Sequence, residues 1–190
     1  MLNYSNIIKK AINEDIEFQR ALKIVQKNSS GKIWVAGSFI FRNLASAIHD
    51  LPKPIFKDYD FIVEKITEKL EVDQGMKFTL NTFGGVKIVS GPISIDIWEP
   101  KDVYLATDPT IENCLKTVSI NIQSIAYSIH DEKVLGDVGL RAILDKKIEV
   151  NNFNTLKYYT DKKGITPKDY IDQKIKSWGF EDFFFDGNSV

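Results

Sequence analysis

Two aspartates at alternate positions, Asp58 and Asp60, follow a Gly37-Ser38 dipeptide by about twenty residues, and a third, Asp96, interrupts the apolar run Ile93-Ser94-Ile95-Asp96-Ile97-Trp98. Side chains two apart on a strand share a face, so Asp58 and Asp60 can converge on one ion while Tyr59 enters the opposite layer. Magnesium is held by one or two carboxylates together with water and substrate phosphates. A carboxylate at Asp96, between two isoleucines, is expensive unless it is paired, hydrogen-bonded or on a metal. Gly37-Ser38 lies between an apolar strand and a helix, where a glycine lets a phosphate approach the backbone and the helix start directs amide donors toward it. The chemistry expected of this set is a phosphate cradle beside two magnesium ions that clamp a triphosphate.

These residues need particular elements to carry them. Apolar residues spaced by three and four from Ser5 to Gln26 predict one long amphipathic helix, closed by Asn28-Ser29-Ser30-Gly31. Lys32 to Ala36 is a buried strand, and Ser38 is expected to cap a helix running to about Ile48, with Arg42 on the same polar side. That spacing allows Arg42 to reach a bound phosphate. Leu51-Pro52-Lys53-Pro54 is a stiff loop. Tyr59 to Glu64 reads as a strand and Thr67 to Val72 as a short helix. Three strands follow, Lys77 to Phe83, Val86 to Ser90 and Ile93 to Trp98, joined through Gly84-Gly85 and Gly91-Pro92. Asp108-Pro109-Thr110 opens a short segment toward Leu115, while Ile120 to Ile129 is apolar without a declared period and fits helix or strand. Val138 to Asp145 predicts a short helix, Lys147 to Val150 a strand, and Pro167 to Trp178 a helix.

The bulk composition limits the classes open to the chain. Its 190 residues, 43% hydrophobic, suffice for one well-cored domain at residues 1–150, with the N-terminal helix at about 5–27, and a helical extension at 151–190. There is no apolar run of membrane-spanning length and no signal-peptide layout, so a cytoplasmic protein without a membrane partner is expected. The one cysteine, Cys114, makes no internal disulfide and is expected to be a small buried hydrophobe. A net charge of -1 gives no field of one sign, which argues against long nucleic acid as a partner and leaves room for a short end on a local basic patch. The pairs His49-Asp50 and His130-Asp131 are too few for a His-Asp phosphohydrolase and read as turns. Lys57 is read as relieving repulsion at Asp58. Trp34, Trp98 and Trp178 are read as core or seam residues, and Phe180, Phe183, Phe184 and Phe185 as packing on the N-terminal helix or on another subunit.

The run Trp34-Val35-Ala36-Gly37-Ser38-Phe39-Ile40, with Lys57-Asp58-Tyr59-Asp60-Phe61-Ile62-Val63 and Ile95-Asp96-Ile97, resembles the polymerase-β-type nucleotidyltransferase superfamily. Within it the chain is similar to the head domain of bacterial poly(A) polymerases and CCA-adding enzymes. Ile120-Asn121-Ile122-Gln123-Ser124-Ile125-Ala126-Tyr127 resembles the family's F-T-I-N-A-L-A-Y strand, and Asp137 to Ile148 its D-x-x-G-G-x-x-D-L-x-x-K-x-I segment. The likeness covers about residues 30 to 150.

The resemblance implies an α/β (α+β) nucleotidyltransferase fold, a mixed β-sheet backed by helices. It implies two Mg2+ ions on Asp58, Asp60 and Asp96, with a nucleoside triphosphate on Gly37 and Ser38. A nucleoside monophosphate would pass to a hydroxyl of an RNA 3' end, a small molecule or a protein. The family's Arg-Asp after its Gly-Gly is Phe41-Arg42 here, its Arg-Arg-Asp is Thr117-Val118-Ser119, and its strand Asn is Gln123. The forty residues after Val150 leave no room for the family's neck and body, so CCA addition is not expected. The other reading is a catalytically inactive relative that binds nucleotide or a protein as a regulatory module.

Overall fold

Asp15 divides the N-terminal segment. The computed structural model describes residues 3–71, 73–80, 84–103 and 108–185, and in it the single long helix expected there is two, α1 (Tyr4–Glu14) and α2 (Ile16–Lys27). The apolar spacing runs unbroken through the break, but Asp15 takes an extended backbone and its carboxylate accepts from the Phe18 amide at 2.9 Å, capping α2. The same carboxylate accepts from the hydroxyl of Tyr59 at 3.1 Å, and Tyr59 is only 1% exposed. Burial and the Asp15 charge push that phenol well above its ordinary range. Asp15→Ala removes a cap and orphans a buried hydroxyl, and is expected to destabilise by about 2–3 kcal/mol in urea unfolding. Adding Tyr59→Phe should recover part of that loss.

The sheet elements are β1 (Ser29–Ala36), β2 (Asp58–Ile66), β3 (Lys77–Leu80), β4 (Val86–Ser90), β5 (Ile93–Trp98), β6 (Ala126–Ser128) and β7 (Lys133–Leu135). They form one sheet in the order β3-β4-β5-β2-β1-β6-β7, antiparallel throughout except for the parallel pair β2 and β5. Between β1 and β2 runs α3 (Ser38–His49), followed along the chain by α4 (Ile111–Thr117), α5 (Asp137–Leu144), α6 (Phe153–Lys163) and α7 (Pro167–Trp178). Two short strands, β8 (Lys147–Ile148) and β9 (Phe184–Phe185), pair in parallel.

Strand alternation sorts the sheet into two faces. Tyr59, Phe61 and Val63 of β2 enter the main core with Ile33, Val35, Ile95, Ile97 and the inner sides of α2 and α3. Phe18 stacks on Phe39 there, ring centroids 4.3 Å apart. On the opposite face, Ile62 and Trp34 join Ile111, Cys114, Leu115 and Ala126 in a second, smaller cluster. Asp58 and Asp60 alternate with the main-core residues and so belong to this second face.

Several expectations are corrected. Residues 67–71 are irregular, with a bend at 68–69, instead of a helix, and Val72 lies outside the described residues, as do 81–83 at the end of the strand expected from Lys77. Ile120 to Ile129 is neither one helix nor one strand: a 3₁₀ turn at Asn121–Gln123 precedes β6. Gly139 explains the turn's fixed place. A Cβ on it would come within 2.7 Å of Ile125 Cβ, so only glycine lets α5 lie against this backbone. α6, capped by Asn152 and Gly164, and strand β7 were not foreseen. The C-terminal phenylalanines pack on α3: Phe180 lies 6.0 Å from Phe41, and Phe183 lies edge-on to His49 at 5.8 Å. Phe184 remains exposed. Among the described residues no helix is long and apolar enough to cross a membrane.

Candidate active site

The pairing of β2 with β5 decides the geometry. In this parallel register Asp60 stands opposite Asp96, and Asp58 opposite Ser94. Neighbouring strands lie about 4.8 Å apart, so acids distant in sequence become neighbours on one face. Asp58 is exposed, Asp60 is half-buried, and the Asp96 side chain is 17% exposed. The hydroxyl of Ser94, buried beside Asp58, has no hydrogen-bond partner.

Gly37 closes the other side. Its backbone sits at φ 68° and ψ -154°, a region that is essentially glycine's alone, and a Cβ built there would collide with the Asp60 carboxylate. Gly37, and not Ser38 as expected, is the N-cap of α3, and it supplies no side-chain cap. The first turn of α3 carries no acidic residue of its own, and the acid at its start is Asp60, whose carboxylate a Gly37 Cβ would meet.

Burial first, then the charges of Asp96 and Asp58, push the Asp60 carboxyl up to about 7. Lys174 and Lys87 act in the opposite sense. The Lys87 ammonium lies 3.0 Å from Asp96 Oδ2. Although burial opposes it, that bond and the charges of Asp96, Asp58 and Asp60 raise the Lys87 pKa. Among the described residues no three His, Cys, Asp or Glu side chains stand close enough together to form a metal-holding group. Lys87 is the cation paired with Asp96. The donor type nevertheless suits a hard divalent ion: Lys174 and Lys87 offset only part of the crowding at the Asp60 carboxylate, and Ser94 offers an orphaned hydroxyl.

A cavity of about 350 Å³ is lined by Asp60 of β2, by Gly37, by Ser119 and Gln123, and by Thr155, Tyr159, Tyr170 and Lys174 of α6 and α7. Trp98 and Cys114 also line it. Burial pushes the Cys114 thiol up to about 11, in keeping with the expected buried hydrophobe. Arg42 does not line the cavity. Its guanidinium lies 5.2 Å from the Phe56 ring centroid, and Nη1 donates to the Ile55 carbonyl at 3.4 Å, so it braces the loop before β2. Lys57 is exposed and contributes its carbonyl, which accepts from Ser94 N at 2.7 Å and extends the β2–β5 pairing.

Sequence reasoning missed Lys87 and Lys174. Lys87 alternates with the apolar Val86 and Ile88, which was a readable sign that it shares a face with Asp96. Nothing in the sequence pointed Lys174 toward residues more than a hundred positions away.

No family model and no curated protein matches the chain. Solved structures do. A CCA-adding enzyme in complex with CTP superposes with a TM-score of 0.58 at 18% identity, over 98% of this chain and 44% of that one. The chain has the nucleotidyltransferase fold. The Thermotoga maritima CCA-adding enzyme complexed with tRNA gives a TM-score of 0.58 at 18% identity, over 94% and 42% of the two chains. An apo tRNA-processing enzyme gives 0.52 at 14% identity, over 83% and 42%. The chain therefore spans less than half the length of these neighbours, and what it shares with them is fold. The expected mixed sheet with its helices is present, and the likeness to CCA-adding enzymes reaches past residue 150 into α6 and α7.

Proposed function

We propose that this protein is a metal-dependent nucleotidyltransferase, moving a nucleoside monophosphate from a nucleoside triphosphate to a hydroxyl of an RNA end, a small molecule or a protein. One observation carries the reading: Asp60 and Asp96 stand in register on adjacent parallel strands, beside a glycine whose missing Cβ leaves room for the Asp60 carboxylate. The fold shared with enzymes bound to CTP and to tRNA supports nucleotide and RNA as partners.

Asp58, Asp60 and Asp96 are the groups that would hold Mg2+, as two ions. Bound there, Mg2+ supplies neutralisation of the phosphate and leaving-group charge and a more acidic acceptor hydroxyl. The chain's own residues position and move the proton. Gly37 and the amides at the start of α3, Ser38 among them, receive the triphosphate. Asp96 takes the proton of the acceptor hydroxyl as its oxygen bonds to the α-phosphorus. The bond from that phosphorus to the bridging oxygen breaks, and pyrophosphate leaves. The neutral floor at Trp98, Cys114 and Leu115 restricts water around the reacting atoms.

The test is incubation with each α-labelled nucleoside triphosphate and total RNA or cell extract, with Mg2+ or with EDTA. Label transferred only with Mg2+, with release of pyrophosphate, supports the enzyme. Nucleotide-induced thermal stabilisation that is indifferent to metal, without transfer, would point to the non-catalytic module instead.

Lys87 makes a separate prediction. Lys87→Met removes the cation that holds Asp96, so the metal-free protein should melt lower at pH 7. Mg2+ should then bind about tenfold more tightly, having no ammonium to displace. Titration of the melting temperature with Mg2+ measures both effects.

A further inference from the structure

Lys174 has no place in the resemblance that first marked the site. It belongs to α7, yet it lines the same cavity as Gly37 and Asp60. The half-buried ammonium feels the carboxylates of Asp60 and Asp58, but among the described residues it forms no ion pair. Its neighbours are rings, with Tyr170 at 5.7 Å and Trp178 at 5.8 Å from the ammonium. Burial, followed by the nearby charge of Lys163, lowers its pKa, and Asp60 and Asp58 only partly offset this. Lys163 approaches the same Tyr170 ring, at 5.2 Å. A second, independent sign of a missing ligand sits in the same wall: Thr155 is 3% exposed, and its buried hydroxyl has no hydrogen-bond partner. A buried polar group is normally satisfied by protein, water or ligand.

A cation with no ion pair among the described residues and an orphaned hydroxyl belong to residues that line one cavity, together with Gly37 at the start of α3. That combination recognises an anion with several oxygens. The geometry points to Lys174 as a contact for the polyphosphate of the bound nucleotide, with Thr155 hydrogen-bonding the same ligand. The C-terminal helices α6 and α7 are then part of the nucleotide site, closing it over the carboxylates of β2 and β5.

Two packing features hold this wall in place. The rings of Tyr159 and Tyr170 lie parallel, 6.1 Å apart, and tie α6 to α7. Ile171 and Trp178 of α7 enter the main core, so the helix that carries Lys174 is anchored to the body of the protein. Lys174 therefore reaches the cavity from a rigid support, which favours precise contact with an anion.

The inference rests on the nucleotidyltransferase reading, and its experiment separates the two. Binding of each nucleoside triphosphate with Mg2+, of inorganic tripolyphosphate and of the free nucleoside is measured by calorimetry on the full chain. The proteins compared are wild type, Lys174→Gln, Lys174→Arg and Thr155→Val. Lys174→Gln is expected to weaken triphosphate and tripolyphosphate binding about ten- to a hundredfold, the scale of one lost charged hydrogen bond, while nucleoside binding is unchanged. Lys174→Arg should restore most of the loss, and Thr155→Val should weaken the triphosphate by a smaller factor. Lys174→Gln removes a charge that burial disfavours but also the offset it gives Asp60, so its melting temperature is measured beside wild type, and unchanged nucleoside binding shows that lost triphosphate binding does not reflect lost folding. If wild type binds triphosphate and Lys174→Gln binds it equally well, this assignment fails and the nucleotidyltransferase reading stands. If wild type binds no nucleoside triphosphate with Mg2+, both fail.

Discussion

Asp60→Asn is expected to lower nucleotidyl transfer by about a hundred- to a thousandfold in kcat/KM, the scale of losing one group preorganised for the transition state. The same change should make the metal-free protein more stable. In EDTA at pH 8 its melting temperature should rise by about 4–8 °C. The two outcomes share one cause. Burial and the charges of Asp96 and Asp58 push the Asp60 carboxyl from an ordinary 3.8 up to about 7. Below about pH 4 the carboxyl is protonated in the folded and the unfolded chain, and it does not bias folding. Between about pH 4 and pH 7 the unfolded chain ionises while the folded one resists, so stability falls as pH rises. Above about pH 7 the folded state carries the whole penalty. A displacement of this size corresponds to at most about 4 kcal/mol, and local relaxation brings the expected gain from asparagine to about 2 kcal/mol. Near pH 4 the two proteins should melt together. With Mg2+ present at pH 8, wild type should gain stability and Asp60→Asn should not. A variant that melts at the wild-type temperature across this whole range would show that the carboxyl titrates normally, and the crowding argued for the site would be wrong.

Gly37→Ala should fail in a different way. A Cβ at this position meets the Asp60 carboxylate, and the backbone at φ 68° and ψ -154° lies outside what an alanine adopts comfortably. Strain of this kind is worth about 1–3 kcal/mol, and displacing a packed carboxylate adds to it. We expect a loss of about 2–4 kcal/mol in urea unfolding and a fall in transfer comparable with that of Asp60→Asn. Combining Gly37→Ala with Asp60→Ala isolates the contact: the double variant should lose less stability than the two single changes add up to. Full additivity would place the carboxylate away from Gly37 and remove the argument that the glycine keeps it open.

Much of this was legible in the chain because it depends on local periodicity. Strand alternation put Asp58 and Asp60 on one side and Tyr59 on the other, and glycine before an apolar helix marked the turn at Gly37. Asp96 between two isoleucines declared that a carboxylate was being held for a reason. The order of these parts was enough to indicate the fold, since each signal lies within a few residues of the next. The N-terminal helix was misread because periodicity cannot see a cap: Asp15 ends one helix and starts another without disturbing the apolar spacing. α6 went unread because it places few apolar residues in the core.

What only the tertiary structure decided is who stands next to whom. The parallel register of β2 and β5 brings Asp60 opposite Asp96, and the antiparallel register of β4 brings Lys87 to the same acid. The return of α7 carries Lys174 to a cavity begun by Gly37. Such pairings join residues tens to more than a hundred positions apart, and they follow from burying two faces of one sheet at once. The amino-acid order alone named the groups able to do the chemistry; the packing of that sheet chose their neighbours, and with them their charge and protonation.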